Sequence, residues 1–501
     1  ARNAARRGAI GILLYTDPID DGYFKGDVYP RGPYRPLSGI QRGSILDLTV
    51  HPGDPLTPGW PARDDAQRIQ PDESDALPTI PCVPISAEAA RPLLESLAGD
   101  NVPSGWQGAL PFAYHVGPGP TEVSMKVAMK LEQRPIANVV ARLEGSDFPE
   151  QMIVLGGHLD SWTHGAVDNG SGSTALIEMA RALGEAARQG HRPRRTIVVC
   201  LWDGEEFGII GSTEFVEARL EDLRQNAVAY INLDAAVSGS RFGGSGTPSL
   251  KGLLRGATRS VPEPLQGGTI YDGWSGGRGE PAVGDLGSGS DYAAFLQHAG
   301  IPAVHFGFSG PNGNYHSMYD TFEWMSRFGD PTFHYHATLA GIAGVAALRL
   351  ANADLLPIDG AAAVRRVATE AELLATRYSG LPVDELLKEA RAVAELVSKQ
   401  CSGLESRVQR GDLSADELTA TNAALMRVER HFTSESGLFG RPWYRHLIFA
   451  PDPKLGYGGQ TLPGLREAAE ASDRDRARVE LERLMNALRL IRRDFEQLDI
   501  S

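Results

Sequence analysis

Glu205 and Glu206 stand side by side just after the apolar run Thr196–Leu201, separated from it by Trp202-Asp203-Gly204. On extended or loop backbone, neighbouring side chains point in different directions. One carboxylate can therefore bind a cation while the other faces a water molecule. Metal-assisted hydrolysis needs that division, a Lewis-acidic centre beside a base that takes the water's proton. An adjacent glutamate pair by itself is more often an exposed acidic loop. Here three further apolar runs end in the same way. Met152–Leu155 leads through Gly156-Gly157 to His158, and Asp168 follows in the loop Gly165–Gly170. Val228–Leu233 ends at Asp234, and Ala303–Phe306 is followed, after a Gly/Asn loop, by His316. Four strand ends that deliver acids and imidazoles are the pattern expected where a parallel sheet opens onto a site.

Two imidazoles and three carboxylates, with no thiolate, suit zinc in a hydrolytic centre and leave manganese or cobalt open. With that many carboxylates, one can bridge two metals about 3.5–4 Å apart. Asp168 is the natural bridge, because the glycines around it let its loop fold sharply inward. Asp160, two residues after His158, is placed to orient that imidazole. Cys82, Cys200 and Cys401 lie far apart and form no CxxC pair, which argues against a thiolate zinc site. His164, His298, His334, His336, His431 and His446 follow no strand end that carries an acid and read as structural or solvated. Gly273–Gly277 fits the G-x-S-x-G nucleophile pattern, but it lies in a glycine-rich loop rather than at a strand-to-helix turn.

The elements that must position these groups fall into three parts. At 501 residues the chain is too long for one compact core. Residues 1–132 read as short strands, proline-punctuated loops and a helix at Ser86–Leu97, a small α+β unit. Residues 133–353 alternate strand and helix: Ile136–Leu143, Met152–Leu155, helix Ser173–Arg188, Thr196–Leu201, helix Gly211–Leu220, Val228–Leu233, and a short helix at Asp291–His298. Gly239–Gly289 reads mostly as loops. The alternation predicts an α/β doubly wound sheet, mostly parallel with mixed edges. Residues 354–501 read as helices, among them Asp384–Leu396, a helix Leu418–Phe432 opened by a Ser414/Glu417 capping box, and Asp475–Leu498. Phe439–Gly464 between them reads as irregular. The net charge is −14 with no basic block, which excludes nucleic acid as a partner. No apolar run is long enough to cross a bilayer.

The strings GGHLDSW, GAVDNGSG, WDGEEFGIIGSTEF, YINLD, LGSGSDY and NYHSMYDT together resemble the co-catalytic zinc exopeptidases of the M28 peptidase family. Their order and wording resemble its glutamate carboxypeptidase and transferrin-receptor group over nearly the whole chain. The resemblance implies a protease-associated (apical) domain at 1–132, entered part-way, a catalytic domain at 133–353, and a helical dimerisation domain at 354–501 through which two copies would pair. It implies two Zn²⁺ per chain, with His158 and Asp234 on one, Glu206 and His316 on the other, and Asp168 bridging. Glu205 would be the general base, Tyr315 would help bind the tetrahedral intermediate, and the Asp168–Asn169 peptide would be cis. Tyr457, Arg63 and Ser290 would contact substrate, and Glu214 and Glu217 would hold Ca²⁺. His305 and Gly307 stand where the group has arginines that favour acidic substrates, and Gly456 replaces a lysine. The substrate would be a peptide or amino-acid conjugate cut by a carboxypeptidase of relaxed or altered specificity. Two alternatives stay open, an aminopeptidase on the same two metals and a catalytically silent receptor-like binding protein. The family's habit points to an extracytoplasmic location, whether secreted, periplasmic or surface-facing.

Overall fold

A computed structural model describes residues 1–498; the last three residues of the expected helical domain lie outside it. At its centre is a six-stranded sheet of β1 (Val139–Leu143), β2 (Phe148–His158), β3 (Arg195–Trp202), β4 (Ala227–Asn232), β5 (Arg241–Gly246) and β6 (Ala303–Ser309), in the order β1-β3-β2-β4-β6-β5. β3, β2, β4 and β6 are parallel; β1 and β5 close the two edges antiparallel. The parallel strands are near-continuous apolar runs, as expected where both faces are covered. Ile153, Leu155, Ile197, Ala229, Tyr230 and Ile231 are all essentially inaccessible. Because the four central strands run the same way, their carboxyl ends open on one rim, and the order reverses between β2 and its two neighbours. A crevice forms there.

Helix α1 (Gly170–Arg188) and helix α3 (His334–Ala351) pack on each other and on β2 and β3. The helix expected at Gly211–Leu220 is α2 (Ile210–Ala218), and a further helix, Leu220–Asn226, follows it. Asn169 is the N-cap of α1 and ties the rim together. Its amide oxygen accepts from Gly172 and Ala235 N–H at 3.1 Å each, and its nitrogen donates to the carbonyls of His158 (3.2 Å) and Leu233 (2.9 Å). One side chain thus caps a helix and joins the ends of two strands.

Gly239–Gly289 departs from the loop expectation, since it holds β5 and the helices Lys251–Thr258 and Ile270–Ser275. β5 is the sequence RFGGSG, with too few apolar or β-branched residues to read as a strand. It pairs with β6 over six residues, and a side chain at Gly244 would sit 2.6 Å from Leu254. Phe439–Gly464 is likewise more ordered than expected. Phe449–Pro451 and Gly459–Thr461 form a hairpin whose turn carries Tyr457.

In the first unit, Ile12–Leu14 pairs in parallel with Cys82–Pro84, and Ala87–Glu95 is a helix capped by Ser86. The C-terminal part is built from α4 (Gly360–Arg377), α5 (Asp384–Arg410), α6 (Ala415–His431) and α7 (Arg474–Glu496). The capping box Ser414/Glu417 opens α6 as expected.

Gly157 measures how closely β2 and β4 approach: a Cβ there would stand 2.2 Å from the Leu233 carbonyl oxygen. Gly157→Ala is expected to destabilise the fold by about 1–3 kcal/mol through overpacking. Chemical denaturation would read this, and an unchanged midpoint would show that the strands can move apart freely.

Candidate metal centre

The rim brings five side chains from four strand ends into one cluster. His158 ends β2, Glu206 follows β3, Asp234 follows β4, His316 follows β6, and Asp168 comes from the loop before α1. The Asp168 carboxylate lies between the two imidazoles, with Oδ1 at 3.0 Å from His158 Nε2 and Oδ2 at 3.1 Å from His316 Nε2. His158 Nε2 also lies 3.0 Å from Asp234 Oδ1, and His316 Nε2 lies 3.3 Å from Glu206 Oε2. The Asp168–Asn169 peptide is cis.

The donor set decides whether a cation fits. His158 Nδ1 faces the Asp160 carbonyl at 3.0 Å, and His316 Nδ1 faces the Arg42 carbonyl at 3.0 Å. A carbonyl can only accept, so each Nδ1 carries the proton. In the neutral ring each Nε2 then presents a lone pair, and each faces two carboxylate oxygens. Neutral rings would be repelled there, and one N–H could serve only one of two acids. A cation beside each Nε2 resolves both conflicts. Ligand atoms on one tetrahedral zinc stand roughly 3.3 Å apart, and the observed separations of 3.0–3.3 Å are of that size. The site's charge agrees. Burial opposes protonation of His158, yet the carboxylates of Asp234, Glu205, Asp160 and Asp168 outweigh it and raise the imidazole's pKa. Burial, reinforced by Asp168, pushes Glu206 up to about 8. The cluster demands positive charge.

Further residues fix these ligands. Asp160, expected to orient His158, meets the ring's Nδ1 with its backbone carbonyl. Its carboxylate instead accepts from the Glu205 and Glu206 N–H groups at 3.1 and 3.2 Å, which fixes the acidic turn. Asp320 accepts from the N–H of Val167 (2.8 Å) and of Asp168 (3.0 Å), and Trp162 N–H donates to Glu206 Oε1 at 3.2 Å. The first unit contributes as well. Arg42 and His316 exchange a backbone bond (2.9 Å) in addition to the ring contact, and Arg35 donates to the Tyr315 carbonyl and to Asp21, each at 2.8 Å. These contacts hold His316 at φ +55°, a left-handed conformation that a non-glycine residue adopts only when its surroundings impose it. Reading the sequence missed Asp320, Arg35 and Arg42; no local pattern marks them, since each acts across a long stretch of chain.

A cavity of about 220 Å³ opens over the cluster, lined among others by Ser44, Leu48, Glu205, Ile209, Tyr292, His305, Tyr315 and Tyr457. Tyr315 stacks on His316 with ring centroids 3.7 Å apart. Tyr457 packs so closely over Gly289 that a Cβ there would lie 1.9 Å from its ring. Arg63, expected to contact substrate, is exposed on its loop and is not among the lining residues; Ser44 and Leu48 supply that unit's share of the wall. Ser290 lines the cavity, but its hydroxyl is already committed to Asp234 Oδ2. Gly307 leaves no room for a side chain, since a Cβ would meet the Ala236 carbonyl at 2.4 Å. Glu214 and Glu217 lie together under the loop 54–62 rather than on an open helix face. Glu214 accepts from Asp54 and Ala62 N–H, while Glu217 Oε2 and Thr57 Oγ1 are buried without a partner. Ser275 of the G-x-S-x-G pattern is spent on the Asp272 carbonyl of its own short helix. Of the remaining histidines, His336 pairs with Asp330 and His431 with Asp494, and neither lines the cavity over the cluster.

The family model for Peptidase family M28 matches residues 138–329, and that for the Transferrin receptor-like dimerisation domain matches residues 382–496. The chain is 39% identical over 477 residues to "Probable glutamate carboxypeptidase LAMP1" of Arabidopsis thaliana, covering 94% of this chain and 67% of that protein. It is 37% identical over 525 residues to "Probable glutamate carboxypeptidase" of Arthroderma benhamiae, covering 97% and 70%. It is 35% identical over 505 residues to "Aminopeptidase NAALADL1" of Mus musculus, covering 93% and 67%. The chain thus spans about two thirds of the length of these relatives.

Arg35 is the test of the clamp between the first unit and the His316 loop. Arg35→Met leaves Asp21 without its partner and the Tyr315 carbonyl without its donor, with an expected cost on the order of 3 kcal/mol. Hydrogen exchange should become faster in residues 313–320. Unchanged protection there would mean that the loop holds itself.

Proposed function

This chain belongs to the M28 peptidase family, and on that premise we propose that it is a two-metal exopeptidase, a carboxypeptidase of altered specificity. The observation that carries the reading is the pair of imidazoles, each with Nδ1 tied to a carbonyl and Nε2 facing two carboxylate oxygens. His158 with Asp234 would hold one zinc, Glu206 with His316 the other, and Asp168 both. The bound ions would supply Lewis acidity, making water nucleophilic near neutral pH and polarising the scissile carbonyl.

The chain's own residues then divide the work. Glu205 lines the cavity, and burial raises its carboxyl well above the usual range, so that it can take the water's proton and pass it to the leaving amine. Bound cations would draw that value back down. Asp160 fixes where Glu205 points, through the backbone N–H it holds. Tyr315, stacked on His316 at the cavity, is kept a phenol by burial and the nearby carboxylates, and its O–H would donate to the oxygen that gains charge in the tetrahedral intermediate. Tyr457 on its hairpin turn would contact the substrate's terminal residue.

Carboxypeptidase action is supported by two relatives named for it and by Tyr457 over the cavity. A second reading, aminopeptidase action, is favoured by one observation. Among the described residues no lysine or arginine lines the cavity to hold a free carboxylate. The mouse relative is named an aminopeptidase. We further propose that Glu214, Glu217 and the loop 54–62 hold Ca²⁺, that the protein acts outside the cytoplasm, and that the C-terminal helices pair two copies of the chain.

Zinc-loaded protein assayed on peptides with free and blocked termini is expected to cut only where the carboxyl end is free, and to stop on chelation. Glu205→Gln should keep both metals while losing about 10²–10⁴-fold in kcat. Cleavage indifferent to a chelator, or full activity in Glu205→Gln, would remove the metallopeptidase reading. Cleavage that requires a free amino end would select the second reading. Sedimentation should give twice the chain mass; a monomer at micromolar concentration would count against pairing.

A further inference from the structure

Behind Asp234 a hydrogen-bonded line runs into the core of the sheet. The Trp202 indole N–H donates to the Tyr230 hydroxyl at 2.9 Å, and that hydroxyl donates to Asn232 Oδ1 at 3.0 Å. Asn232 Nδ2 donates to Ser290 Oγ at 2.8 Å and stands 3.3 Å from His305 Nδ1. Ser290 Oγ donates to Asp234 Oδ2, the oxygen turned away from His158. Trp202, Tyr230 and Asn232 are fully buried, and Ser290 is nearly so.

The line has only one direction. An indole nitrogen can only donate, so the Tyr230 proton must point onward, to the Asn232 oxygen. That contact fixes which way the amide faces and presents its N–H₂ to Ser290 and His305. With its lone pair taken by Asn232, the Ser290 hydroxyl sends its proton to the carboxylate. The fold makes room for the line at a glycine, for a Cβ on Gly156 would stand 2.4 Å from Trp202 Nε1 and 2.6 Å from the Tyr230 hydroxyl.

We propose that Tyr230, Asn232 and Ser290 are positioning residues that hold Asp234 as a one-oxygen ligand, by occupying its second oxygen from a relay anchored on Trp202. The inference rests on the reading of His158 and Asp234 as ligands of one cation. With Oδ2 bound by Ser290, Oδ1 alone is free for the metal, and the carboxylate cannot rotate to offer both. Groups that orient a metal ligand in this way are typically worth 10–100-fold in metal affinity. The relay reaches Asp234 and makes no contact with His316 or Glu206. Its effect therefore belongs to one of the two metals.

The test is zinc titration of the metal-free protein against a chromophoric chelator, for the parent, Ser290→Ala and Tyr230→Phe. The parent should show two binding constants, and its failure to bind two ions would strike the metallopeptidase reading itself. In each variant one constant should weaken 10–100-fold while the other stays within twofold, and kcat should fall with KM nearly unchanged. Tyr230→Phe is the sharper variant, since it removes one hydroxyl three hydrogen bonds away from Asp234 and keeps the ring. Two unchanged constants would overturn the relay, and so would both weakening together, which would mark general loosening of the fold.

Discussion

Negative charge gathered in a buried place is the condition around which the molecule is arranged. Asp168, Glu206 and Asp234 converge on two imidazoles whose other nitrogens are already committed, with Glu205 beside them. Carboxylates this close repel one another in a medium that screens poorly, and an unpaired buried carboxylate is costly. The folded chain holds them together only because the sheet, the caps and the loop contacts fix every backbone segment that bears one. A bound cation would relieve the same crowding.

The sheet provides the first level of that fixation. Four parallel strands, buried on both faces, end on one rim, and Asn169 ties two of them to the start of α1. Close approach is needed at the rim, and glycines at 156 and 157 allow it, one for the aromatic pair Trp202 and Tyr230 and one for the β4 backbone. Precision at the ligands is therefore inherited from the buried strands that they end or follow.

The second level comes from outside the sheet. Arg35 and Arg42 of the first unit hold the His316 loop, Ser44 and Leu48 line the cavity, and the C-terminal hairpin lays Tyr457 over Gly289. Each of the three regions of the chain supplies part of the wall. The candidate metal cluster is set by strand ends of the middle region, whereas the space above it is shaped by all three.

Much of the centre was legible from the order of residues. His158, Glu206, Asp234 and His316 each come shortly after a run of apolar residues, and a parallel sheet must release such residues at one edge. The strand-helix alternation likewise determined the sheet, and Ser414 with Glu417 marked the start of α6, because these signals are local. The glycine-rich β5 was not legible, since it is a strand only by virtue of pairing with β6. Arg63 was expected in the cavity and stands outside it, while Ser290 spends its hydroxyl on Asp234. Which way a loop side chain turns depends on partners far away in the chain, as with Arg35 and Tyr315, separated by 280 positions. The amino-acid sequence by itself determined which chemical groups are delivered to the rim. Only the tertiary structure decided which of them face one another and which are held from behind, because those contacts join segments that carry no mark of each other.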